Sequence, residues 1–217
     1  MSVARRIRDG IAAMFTRDPG QGGRWVVVDT ETSGLDPARD ALLAIGAIAV
    51  DGAGVLIDDS FEVVLRNDAG SDAANVVIHG IGHEAQRAGV PASDALTAFA
   101  TYVAGAPCVG FHTDFDRTVL KRACAEAGVD ATFAPWLDLA HVAAALLPDQ
   151  HNRGGRSLDD WLTHFAIGTT ARHSAAGDAL ATALLLLRLR VIAAAQGSRG
   201  FAALARLGRQ HRWLGSS

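Results

Sequence analysis

The stretch WVVV (25–28) is unbroken apolar sequence that stops at Asp29, a pattern that predicts a buried strand over 25–29. LLAIGAIAV (42–50) and VLIDDSFEVVL (55–65) predict its two neighbours, and DGAG (51–54) predicts a hairpin between them. Helical spacing of apolar residues follows in ASDALTAFATYVAG (92–105), with Ser93 or Asp94 as its cap. APCVGF (106–111) then predicts a short buried strand, and a helix runs from Asp114 to Ala127, where Gly128 ends it. Helices are expected over 137–147, stopped by Pro148, over 157–165, and over 175–195, with a polar loop at 150–156. Three consecutive strands followed by alternating helix and strand indicate one α/β domain, its first three strands antiparallel and the later ones parallel.

Charge divides this pattern into three parts. The first 24 residues hold five Arg and two Asp, and residues 197–217 hold four Arg and no acid, so net +3 and +4 at the ends leave −10 on residues 25–196. The expected organisation is a basic N-terminal segment (1–24), one acidic α/β domain (25–196) and a basic C-terminal tail (197–217). Ile7, Ile11, Met14 and Phe15 give the N-terminal segment one apolar helical face. Basic ends suit nucleic acid or a protein partner, and an acidic body suits cations. The apolar run 179–195 is interrupted by Arg188 and Arg190, which predicts a buried helix and no membrane span. Cys108 and Cys124 lie in apolar settings without a zinc spacing, as expected of reduced thiols in a cytoplasmic protein.

Four carboxylates stand out against the pattern. Asp29 and Glu31 end the first strand two residues apart, hence on one face. Asp116 follows a later strand at the start of a helix, and Asp178 stands among Ala and Leu on another, with no base one helical turn away. Carboxylates placed so are costly unless a cation pairs with them. Hard oxygen donors without Cys favour Mg²⁺ or Mn²⁺, and four of them suit two ions about 3.5–4 Å apart, an arrangement suited to phosphoryl transfer.

DTETSGL (29–35), the FD at 115–116 and HSAAGD (173–178) resemble the three motifs of the DEDDh, or DnaQ-like, 3′→5′ exonucleases, and the likeness covers residues 25–195. The resemblance implies a ribonuclease H-like fold: a mixed five-stranded sheet, three strands antiparallel and the later ones parallel, flanked by helices. It implies that Asp29, Glu31, Asp116 and Asp178 hold two Mg²⁺ (or Mn²⁺), and that His173 is the general base. A sister subfamily has tyrosine four residues before the last aspartate; here that position is Ser174, so the histidine variant fits.

The resemblance also implies substrate contacts. Thr32, Ser33, Gly34 and Leu35 would hold the terminal nucleotide through backbone N–H groups and the Leu35 side chain. VIHGIG (77–82) resembles the family's His-Gly-Ile segment, which implies that Ile81 lies near the terminal base and makes His79 a substrate-binding candidate. Phe111 and His112 stand where the family often has His-Asn, and are expected to support the site or touch substrate. Arg153 and Arg156 are candidates for phosphate contact. The expected activity is release of nucleoside 5′-monophosphates from the 3′ end of single-stranded DNA, with RNA trimming or a non-catalytic nucleic-acid scaffold as alternatives. All five catalytic positions are intact, which argues against the scaffold.

Overall fold

A computed structural model describes residues 23–69, 80–152, 157–169 and 172–214. The expected helix before Trp25, His79, Arg153 and Arg156 lie outside them. Among the described residues five strands form one sheet: β1 (Trp25–Thr32), β2 (Leu42–Val50), β3 (Val55–Val64), β4 (Cys108–Gly110) and β5 (Trp136–Asp138), ordered β3-β2-β1-β4-β5. β1 pairs antiparallel with β2, and β2 with β3; β4 and β5 run parallel to β1. This is the mixed sheet expected from the strand order.

Apolar alternation in β1 sends its side chains into two cores. Trp25 and Val27 join one, with Leu137, Trp161, Leu185 and Leu189; Val26 and Val28 join the other, with Leu96, Phe99, Val119 and Leu120. After the short α1 (His83–Ala88), helices α2 (Ala92–Val103) and α3 (Asp114–Ala127) build the second layer. The first is built by α4 (Leu139–Leu146), α6 (Leu158–His164), α7 (Ala175–Ala195) and α8 (Gly200–Leu214), with the short α5 (Pro148–Asn152), which buries no residue, following α4. The helix ending at Gly128 matches the sequence pattern, with Gly128 left-handed at φ 67°.

Three expectations change. The helix expected from Leu137 starts at Leu139, because Trp136–Asp138 pairs with Cys108–Gly110 as β5. Neither Ser93 nor Asp94 caps α2: Pro91 is the N-cap, and both fall in the first turn. The segment 197–217 is no separate tail over its described part, since Phe201, Leu204 and Ala205 of α8 are buried in the first core. Among the described residues no helix is long and apolar enough to cross a membrane, and α7 buries Ala179, Ala183, Leu185, Leu186 and Leu189.

Candidate active site

The acids gather at the C-terminal end of β1, at the centre of the sheet. Asp29 and Glu31 share the face covered by α7, opposite Gly46 and Ala44 of β2. Gly46 is where the helix meets the sheet: a Cβ there would overlap the backbone of Ala175 and Ala176, in the first turn of α7. A side chain at this position would push that turn away. Ser174 caps the helix by accepting from the Gly177 N–H at 3.2 Å, and Asp178 follows in the first turn. The result is a group of three, Asp29, Glu31 and Asp178, whose carboxylate oxygens lie within 4.8 Å of one another.

Asp116 reaches the same strand end from the opposite layer. It is 5% exposed, and its Oδ1 accepts a 2.8 Å hydrogen bond from Thr30 Oγ1. Thr30, between the two acids in sequence, therefore orients the fourth. Asp114, two residues earlier, points outward and pairs with Arg117 and Arg212 at 3.5 and 2.7 Å.

Burial, with Asp116 and Glu31 adding like charge, raises the Asp29 carboxyl well above its ordinary range. Burial and Asp116 push Glu31 up to about 7, and burial with Asp138 pushes Asp116 to about 7, against the lowering effect of the Thr30 hydrogen bond. Arg172 offsets part of this for Asp29 and Glu31. Its guanidinium pairs with Asp178 of α7 and, at 2.8 Å, with Asp159 of α6. Arg172 is not at helical spacing from Asp178, because it approaches from the loop before α7. Among the described residues, this one guanidinium does not balance four carboxylates. The donor set and its electrostatics fit divalent cations.

A sign follows for stability. Ordinary carboxylates titrate near pH 4. Above that pH the metal-free folded state holds protons on Asp29, Glu31 and Asp116 that the unfolded chain releases, so these groups reduce stability as pH rises towards about 7. In EDTA, Glu31→Gln is expected to gain on the wild type in melting temperature between pH 5 and 7.5. Mg²⁺ is expected to stabilise the wild type more at pH 7.5 than at 5. A difference with the opposite slope would contradict the assignment.

The remaining expected residues are placed as follows. His173 is exposed, left-handed at φ 63°, and its N–H donates to Asp178 Oδ1 at 3.3 Å. Thr32 is buried and its hydroxyl donates to the Gly34 carbonyl at 2.6 Å. The Ser33 N–H donates to Ala41 O and its Oγ accepts from Ala41 N, both at 2.9 Å, so this N–H braces the loop and is not free for a nucleotide as expected. Gly34 lies against the Asp40 carboxylate, and Leu35 projects at 90% exposure. Ile81 is half-buried, and its carbonyl accepts from the buried Gln86 side chain at 2.8 Å.

Phe111 packs against the first core while His112 is exposed at φ 59°. Asp138 holds that turn by accepting from the His112 and Thr113 N–H groups at 3.1 and 3.0 Å, and it also caps α4 at Ala140. The sequence reading missed Asp138 as a site residue. It becomes legible only once β5 is paired with β4.

The sequence profile of the RNase_T exonuclease family matches residues 26–186. The chain belongs to this exonuclease family. It is 33% identical over 193 residues to a DNA polymerase III subunit epsilon-like protein of Rhodobacter capsulatus, covering 86% of this chain and 26% of that protein. It is 26% identical over 165 residues to a PolC-type DNA polymerase III of Oceanobacillus iheyensis, covering 76% of this chain and 11% of that protein. The exonuclease chain thus spans about a quarter or less of the length of these relatives. It shares its fold with Escherichia coli exonuclease I bound to a dT13 oligonucleotide: TM-score 0.68, 18% identity, 80% of this chain and 42% of that one. Exonuclease X in complex with 5′-overhanging duplex DNA is similar over 85% of this chain and 99% of that one, with TM-score 0.65 and 19% identity. The DnaQ-like resemblance carried by the three motifs therefore stands, and so does the fold it implied.

Proposed function

We propose that the chain is a divalent-metal-dependent 3′→5′ exonuclease that removes nucleoside 5′-monophosphates from single-stranded DNA. The observation that carries this reading is the grouping of Asp29, Glu31 and Asp178 within 4.8 Å, with Asp116 beside them, in a member of an exonuclease family. Two Mg²⁺ or Mn²⁺ held by these four carboxylates would neutralise the charge that develops on the phosphoryl oxygens. His173, exposed at the start of α7, takes the proton of the attacking water. Thr30 keeps Asp116 turned to the cluster, and Arg172 ties α6 to α7 so that Asp178 stays in place. Leu35, exposed on a loop braced by Ser33 and Asp40, would pack against the terminal base.

DNA is favoured over RNA because the relatives are named for DNA polymerases and the neighbouring structures hold DNA. The test is competition between DNA and RNA strands of one sequence, read as the ratio of kcat/KM. A ratio above unity for DNA is expected. A ratio below unity would make the chain an RNA-trimming enzyme instead.

A further inference from the structure

Outside the acid cluster, the outer side of α3 carries a different chemistry. Two hollows of about 810 and 210 Å³ flank it, the first within the range of about 300–1,000 Å³ usual for ligand clefts. Arg117 and Trp136 line both, so the two hollows adjoin and make up a composite groove. Lys121 and Phe133 line its far part, and Arg209 and Arg212 of α8 its near part.

Four cations here face two carboxylates, Asp114 and Asp138, in a chain of net charge −3. Asp138 is engaged by three backbone N–H groups. Asp114 joins Arg212 to Arg117 across the groove. Lys121 and Arg209 have no carboxylate partner among the described residues. The groove is thus locally positive beside a strongly acidic site.

Its position relates it to that site. Asp116 and Arg117 are consecutive on α3: the first turns inward to Thr30, the second outward to the groove. Asp138 ends β5, two strands from β1 and so about 10 Å from the strand that carries Asp29 and Glu31 at ordinary strand spacing. Cations at that remove meet the part of a strand beyond its terminal nucleotide. Guanidinium groups match phosphate geometry, and Trp136 and Phe133 give the groove an apolar wall against which bases can rest.

We propose that this groove, walled by α3, β5 and α8, carries the sugar–phosphate backbone of the nucleic-acid strand upstream of the 3′ end, with Arg117, Arg209 and Arg212 on its phosphates. It builds on the exonuclease reading but is tested apart from it. The probe is a 5′-fluorescein-labelled 20-mer of thymidylate, bound in EDTA and followed by anisotropy over a salt series. Arg209→Gln with Arg212→Gln is expected to weaken binding about tenfold or more and to reduce the slope of log affinity against log salt by about 0.7 per lost phosphate contact. Asp114→Asn, which removes an acid facing the arginines, is expected to tighten binding, a change that a misfolded variant would not give. In turnover, the double variant raises KM more for the 20-mer than for a trinucleotide. Unchanged affinity and salt slope would overturn the groove assignment even if the protein digests DNA. Binding that depends on these arginines without any metal-dependent hydrolysis would uphold the groove and overturn the exonuclease reading.

Discussion

Replacing Gly46 with alanine is expected to lower turnover by about 10²-fold, although the residue contributes no chemistry. The added Cβ would overlap the Ala175 and Ala176 backbone, so the first turn of α7 must move outward. Asp178 rides on that turn while Asp29 and Glu31 stay fixed in the central strand. A displacement of about 1 Å at a reacting centre commonly costs 10²-fold in rate. Overpacking also costs stability, about 1–3 kcal/mol. Both effects are measurable on one preparation, by kinetics and by denaturant unfolding. Metal affinity should fall with the rate, since the acids are separated. Full activity in Gly46→Ala would mean that Asp178 is not held by this contact.

Replacing His173 with alanine is expected to lower kcat by about 10²–10⁴-fold, the usual size of a general-base contribution. Its side chain is exposed at the start of α7, so its loss leaves the core and the acid cluster intact. Mg²⁺ affinity and melting temperature should therefore remain near those of the wild type. This separates His173→Ala from Gly46→Ala, where rate, affinity and stability fall together. A small change in kcat would place the base elsewhere.

The parts of this site that local pattern reveals were legible in the sequence. Asp29 and Glu31 interrupt an apolar strand, and Asp178 interrupts an apolar helix; each mismatch is visible within a few residues. What was not legible depends on residues brought together by the fold. Gly46 is visible as a glycine inside an apolar strand, but its purpose lies in Ala175, far along the chain. Arg172 escapes a search at helical spacing because the partner of Asp178 sits outside the helix. Asp138 gains meaning only from the register that pairs it with Gly110. β5 itself, three residues long, merges in sequence with the helix that follows.

The C-terminal segment shows the converse, a pattern overridden by composition. Four Arg without an acid suggest a solvated tail. Yet Phe201, Leu204, Ala205 and Gly208 repeat at helical spacing and form the buried stripe of α8. With that stripe packed against the core, Arg209 and Arg212 are carried to the groove beside α3.

The claim that four carboxylates at the end of β1 and the adjoining helices drive metal-dependent hydrolysis from a 3′ end is tested most directly by one measurement. A 5′-labelled single-stranded DNA is incubated with the wild type and with Asp29→Ala, with Mg²⁺ and with EDTA, and the products are resolved by length. Stepwise shortening from the 3′ end by the wild type with Mg²⁺, and none in the other three reactions, is the expected result. Shortening that persists in EDTA or in Asp29→Ala, or release of the labelled 5′ nucleotide first, would contradict it.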